Sequence, residues 1–230
     1  MPPPDGAVIL FAGYELDLKG WRHRDGRPAS WTVEGGVMTV GKGDIVSCEE
    51  FTDAYLHVEF RVPDQPHVRR QHRGNSGIYL QGRYEIQILD SYGVQHPGKT
   101  DCGAVYGQSA PLVNRCLPPL YWQSFDIIFR AARTDGSGRV RQAARLTVLQ
   151  NGGVIHNNLT LRGPTRGAMD RDVGRPGPLL LQDHGSPVQY RNIWLVHLPA
   201  VAEDGRDVET SKDNGPGWLP LHFPWLRRRR

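Results

Sequence analysis

Two segments of this chain alternate with the period of a β-strand, and they limit its possible folds more than any other feature. Over Tyr55–Val62, Leu56, Val58, Phe60 and Val62 take one side, and Tyr55, His57, Glu59 and Arg61 take the other. Trp122–Arg130 repeats the pattern, with Phe125, Ile127 and Phe129 against Trp122, Ser124, Asp126 and Ile128. Side chains two residues apart on a strand share a face. Each segment therefore reads as a strand with one face in a core and one in water. No stretch holds a helical period for three turns. Gly 27 and Pro 18 among 230 residues fit many short strands joined by turns. The expected fold class is all-β, a sandwich of two packed antiparallel sheets. Leu56, Val58, Phe60, Phe125, Ile127 and Phe129 are expected between the sheets.

Further strands are expected at Val8–Phe11, Leu179–Gln182 and Val188–His197, with short ones at Ala104–Gly107 and Leu159–Leu161. Trp31–Val33 and Val37–Val40 flank Glu34-Gly35-Gly36, and Ala144–Gln150 and Gly153–His156 flank Asn151-Gly152. Both pairs are hairpin signals. His156, beside Asn157 and Asn158, is expected at the surface. Composition turns polar and rich in Gly and Pro after Ala202. The expected organisation is one domain over 1–200 and a polar tail over 201–230, docked by its Trp and Phe residues or disordered.

The stretch GNSGIYLQGRYEIQILDSYG, Gly74–Gly93, draws attention for chemistry. Gly77–Gln81 and Tyr84–Asp90 are β-prone runs separated by Gly82-Arg83, which predicts a hairpin with a two-residue type II′ turn. Glu85 and Gln87 share a face. Asp90 has the opposite parity and joins them only through a bulge near Ile88 or Leu89. A polar row on so apolar a strand needs hydrogen bonds or a solvated cleft. Glu85, Asp90 and His184 (in Gln182-Asp183-His184-Gly185) are the candidates for proton transfer. Asn75, Gln87, Tyr106 and Gln182 are candidates for hydrogen-bonding a ligand, and Trp122 is a candidate for stacking on one. The basic, Pro-flanked loop Pro63–Arg73 precedes the hairpin and is placed to overhang a site.

Formal net charge is +4, but Arg227–Arg230 supply four positive charges, so the body is near neutral. That leaves no basic face for nucleic acid, and no apolar run is long enough for a membrane-spanning helix. The opening MPPPDGAVILFAG lacks the basic start and apolar length of a signal peptide. The expected location is cytoplasmic as the sequence stands, or exported if a leader has been removed. Cys48, Cys102 and Cys116 show no metal-ligand spacing. They read as buried small hydrophobes, with a Cys102–Cys116 disulfide left open.

Several blocks, in order, resemble the 3-keto-disaccharide hydrolase family. They are LFAGYELDLKGW, EEFTDAYLHVEFRVP, the hairpin stretch above, CGAVYGQSAPLVN, YWQSFDIIFRAAR, ARLTVLQNGGVIHNN, LRGPT and LLLQDHGSPVQYRNIWL, from about Ile9 to Leu198. The resemblance implies a concanavalin A-like jelly roll and cleavage of small glycosides already oxidised to a ketone at C3. Glu85-Ile-Gln87-Ile-Leu-Asp90 also resembles the Glu-x-Asp-x-x-Glu strand motif of laminarinase-like hydrolases, with Gln and Asp at the second and third positions. Ordinary glycoside hydrolysis is therefore an alternative, and a non-catalytic, lectin-like carbohydrate-binding module is another. No cofactor is required by these readings. A divalent metal ion held by Glu85 with His184 or Asp90 is one way to polarise the ketone. Oligomeric state is left open by the sequence.

Overall fold

The alternating segments become central neighbours in a large antiparallel sheet. In a computed structural model, which describes residues 1–200, the strands run β1 Val8–Phe11, β2 Trp21–His23, β3 Thr32–Glu34, β4 Val37–Thr39, β5 Ile45–Phe51, β6 Ala54–Arg61, β7 Ser76–Leu80 and β8 Tyr84–Ile88. They continue with β9 Gln123–Arg130, β10 Arg133–Thr134, β11 Val140–Gln142, β12 Arg145–Gln150, β13 Gly153–Thr160, β14 Gly177–Leu181 and β15 Gln189–His197. An eight-stranded sheet has the order β13-β12-β9-β6-β15-β4-β3, with β1 on β15. A five-stranded sheet has the order β2-β5-β14-β7-β8, and β10 pairs with β11. The two larger sheets pack as a jelly-roll sandwich. The helical segments among the described residues are short 3-10 turns at Glu15–Gly20 and Arg70–His72. None is long and apolar enough to cross a membrane.

The six expected core residues are completely buried. Phe60 and Phe125 pack with ring centres 4.8 Å apart, and Phe129 meets Tyr84 of the other sheet at 5.6 Å. Apolar area removed from water in this seam is the main favourable term for the fold.

Several expectations change. β2 and β5 were not legible, because Glu49-Glu50 interrupt the apolar run and Trp21 sits among polar residues. Val105 makes isolated bridges to Ile86 and Ser109 instead of a strand. His156 is buried, and its Nε2 meets Gly103 O at 2.8 Å. Burial lowers its pKa and favours the neutral ring. The three cysteines are free thiols. Gln150 Nε2 lies 3.7 Å from the Cys102 sulfur and 3.4 Å from that of Cys116. The tail expected over 201–230 lies outside the described residues.

The central hairpin also departs from its expected turn. Three residues, Gln81–Arg83, connect the strands, with φ of +53° at Gln81 and +66° at Gly82. Arg83 N–H donates to Leu80 O at 2.9 Å. Ile78 then faces Ile86 and Leu80 faces Tyr84, while Gly77 faces Gln87 and Tyr79 faces Glu85. A two-residue turn would have set Leu80 opposite Glu85, mixing apolar and polar residues on each face. The hydrophobic pattern selects the register that keeps the faces clean.

Candidate active site

Because β8 alternates, Ile86 and Ile88 enter the core, and Glu85 and Gln87 emerge on the opposite face of the five-stranded sheet. That face floors a cavity of about 370 Å³ lined by Gln71, Asn75, Tyr79, Glu85, Gln87, Tyr106, Arg166, Gly167, Gln182 and His184. Six residues singled out from sequence therefore meet in one place: Glu85, His184, Asn75, Gln87, Tyr106 and Gln182.

Each wall is pinned by backbone bonds. The free edge of β8 binds the Gly103–Tyr106 segment. Gly103 N–H donates to Gln87 O, Gln87 N–H to Ala104 O, and Tyr106 N–H to Glu85 O. This brings Tyr106 to the cavity. Gln182 follows β14, and its N–H donates to Gly77 O at 3.0 Å. The turn carrying His184 is tied down through Asp183, which accepts from Gly43 N–H and Gly185 N–H at 2.8 Å each. His184 stands at the exposed rim, its ring 6.4 Å from that of His72.

Glu85 is 3% exposed. Gly77, directly across the ladder from Gln87, makes room for it: a Cβ there would lie 2.7 Å from Glu85 Oε1. Burial pushes the Glu85 pKa up to about 7, opposed by the Tyr79 hydroxyl and reinforced by the negative charge of Asp44. The Gln87 side-chain oxygen and nitrogen are assigned from their neighbours. The orientation that puts the NH2 toward Ser76 O at 2.8 Å also lets it donate to Glu85 Oε1 at 3.2 Å. Tyr79 accepts from Gln182 Nε2 at 3.1 Å and donates to Arg166 O at 3.2 Å. Arg83 does not pair with Glu85. It is buried and binds Asp170 through Nε at 2.6 Å.

Two sequence candidates are placed elsewhere. The ladder ends at Ile88 without a bulge. Leu89 turns into the core, and Asp90 pairs with Arg73 Nε at 2.8 Å, outside the cavity lining. Trp122 also lies outside the lining. Two guanidinium groups of the eight-stranded sheet lie against its ring, Arg61 at 4.9 Å and Arg191 at 4.1 Å from its centre. Its ring is engaged in cation–π contact away from the cavity. Trp122→Ala is expected to leave turnover of the purified variant unchanged, because the ring lies outside the cavity lining; a steady-state assay checks this.

Sequence reading missed Gln71, Tyr79, Arg166 and Gly167. Tyr79 was discoverable from parity, since it shares a face with Gly77. Arg166 and Gly167 sit in an irregular loop with no periodic signal. The metal idea loses a ligand once Asp90 is paired with Arg73. Among the described residues, no group of three or more His, Cys, Asp or Glu side chains is placed to hold a metal ion. The residues present do not fit that group.

Comparison with known proteins agrees with the architecture. A crystal structure of a candidate glycosyl hydrolase from Parabacteroides distasonis ATCC 8503 is 39% identical, with a TM-score of 0.78 over 86% of each chain. A second candidate glycosyl hydrolase from that organism shares the fold at 22% identity and a TM-score of 0.59, covering 84% of this chain and 94% of its own. No curated protein matches the chain. The profile of the 3-keto-alpha-glucoside-1,2-lyase-like domain matches residues 6–196. A jelly roll with a buried carboxylate under a polar cavity, matched by that profile over most of its length, belongs to the 3-keto-alpha-glucoside-1,2-lyase-like family of carbohydrate-active proteins.

Proposed function

We propose that the protein cleaves 3-keto-glycosides, with Glu85 as the base that removes the proton on C2. The observation that carries this reading is one buried carboxylate, Glu85, at the floor of a cavity otherwise lined by amides, tyrosines, an arginine and a histidine. Hydrolysis through paired carboxyls needs two of them, about 5–5.5 Å apart for retention or ~6.5–9.5 Å for inversion. With Asp90 engaged by Arg73, the lining supplies one, so the laminarinase-like alternative has less support.

The C3 ketone acidifies the C2 proton, and Glu85 accepts it. A base whose pKa lies near the working pH suits this step, and burial puts Glu85 there. The electron pair moves to the ketone oxygen, which develops negative charge. Arg166 and Tyr106 line the cavity as donors for that oxygen. Collapse of the enolate breaks the C1–oxygen bond, and His184 at the rim protonates the departing aglycone oxygen. Water then adds at C1 of the enone, giving up its second proton to His184, and protonated Glu85 returns its proton to C2. The products are a free 3-keto sugar and the alcohol.

A C2 proton without an adjacent ketone is too weakly acidic for a side chain to remove near neutral pH. A 3-keto-glucoside is therefore expected to release its aglycone, while the parent glucoside stays intact. In deuterated water, substrate recovered part-way should carry deuterium at C2 if abstraction is reversible. Rapid cleavage of the unoxidised glucoside would overturn the reading.

A further inference from the structure

The block LRGPT ends on a threonine that stands behind the cavity lining. Thr165 is 6% exposed, and its hydrogen bonds reach the central hairpin three times. Its N–H donates to Arg83 O at 2.9 Å, its hydroxyl donates to the same oxygen at 3.1 Å, and that hydroxyl accepts from Glu85 N–H at 3.0 Å. In an antiparallel strand the N–H and C=O of one residue point to the same edge. On that edge of β8, Tyr106 N–H donates to Glu85 O at 3.1 Å, and Thr165 Oγ1 accepts from Glu85 N–H. A side-chain hydroxyl thus stands where a neighbouring strand would place a carbonyl.

Thr165 also opens the turn that carries the cationic wall. Ala168 N–H donates to Thr165 O at 3.4 Å, so Arg166 and Gly167 form the corner. Gly167 has φ of +85°, the conformation glycine supplies at the second central position of a type II turn. The far side is fastened to the same hairpin. Met169 N–H donates to Gly82 O at 2.8 Å, and the Met169 side chain packs against Val46, Tyr79 and Leu180. Asp170 accepts from Arg83 Nε at 2.6 Å, and Arg83 also reaches Arg175 O at 2.9 Å. Between these two fastenings, Arg166 and Gly167 line the cavity.

We propose that Thr165 is a positioning residue: its hydroxyl ties the turn that presents Arg166 to the backbone of Glu85, so that the cationic wall and the carboxylate keep one spacing. The role rests on the reading of Arg166 as a donor to the enolate oxygen. Glu85 itself is placed by the β7–β8 ladder. The Arg166 turn belongs to no strand, and its leading end depends on Thr165. A methyl group in place of the hydroxyl would leave Glu85 N–H, a buried donor, without its acceptor. The backbone of the turn would then shift away from β8. Arg166 acts where charge develops, so its displacement lowers kcat and leaves KM.

The test is Thr165→Val, which keeps the branched side chain and removes the hydroxyl, with Thr165→Ser as the variant that restores it. For a 3-keto-glucoside, kcat should fall on the order of 10²-fold in the valine variant, the cost of misplacing a group by about 1 Å, with KM little changed. Serine should recover most of that loss. Amide exchange at Glu85 and Met169 should quicken with valine and return toward the parent rate with serine. Added to Arg166→Ala, Thr165→Val should cost little more, because residues that act through one group are not additive. If the valine variant does not fold, Asp170→Asn carries the same cycle, since it loosens the far fastening from a side chain that is 42% exposed. Unmoved exchange in the folded variants, or losses that add in full to those of Arg166→Ala, overturn the inference. A parent protein inert toward the 3-keto-glucoside rejects the reaction itself, whereas an active parent with additive losses rejects only the role of Thr165, so the two readings fail separately.

Discussion

Glu85→Gln is expected to lose at least about 10²–10⁴-fold in turnover of a 3-keto-glycoside, the usual contribution of a positioned general base. Sugar binding should be retained, because the amide keeps the shape and hydrogen-bonding capacity of the acid. The same variant should be more stable than the parent at alkaline pH. Folding raises the Glu85 pKa from 4.5 to about 7, so between those values the folded state binds more protons than the unfolded one. Stability therefore falls as pH rises through this window and is flat above it. A shift of that size corresponds to roughly 3 kcal/mol. The advantage of Glu85→Gln should be absent below pH 4.5 and full above about pH 7. Denaturant unfolding at several pH values, beside a turnover assay, checks both halves. Equal loss of binding and turnover would favour a lectin-like module, and unchanged turnover would remove Glu85 from the chemistry.

Gly77→Ala should also be severe, for a different reason. Its new methyl would stand 2.7 Å from Glu85 Oε1 and 3.2 Å from Glu85 Cγ. The first atom is the end of a flexible side chain, so the fold can yield by moving the carboxylate. The melting temperature should change little. Displacing a reacting group by about 1 Å is enough to cost about 10²-fold. The expected result is a folded protein with kcat/KM reduced by that order, checked by thermal unfolding and steady-state kinetics together. Full activity would mean that Glu85 does not need the position shown.

The sequence by itself determined the layers and much of the cavity floor. Strict alternation in Tyr55–Val62 and Trp122–Arg130 leaves one way to bury Leu56, Val58, Phe60, Phe125, Ile127 and Phe129, and those residues fill the seam. The same parity rule put Glu85 and Gln87 on one face. Tertiary structure decided what parity cannot reach. Whether Asp90 joins Glu85 depended on where β8 ends, and the pull of Leu89 into the core and of Arg73 on the carboxylate sent it elsewhere. Trp122 was assigned by residue type, yet its surroundings come from Arg61 and Arg191 on other strands. Tyr79 became the partner of Glu85 only because a three-residue turn set the register. Arg166 and Gly167 reached the cavity by a loop whose path is fixed through contacts distant in sequence, such as Thr165 N–H to Arg83 O at 2.9 Å. Local patterns carry the period of an element and the face of each residue. Convergence of loops depends on long-range pairing, which no local pattern encodes.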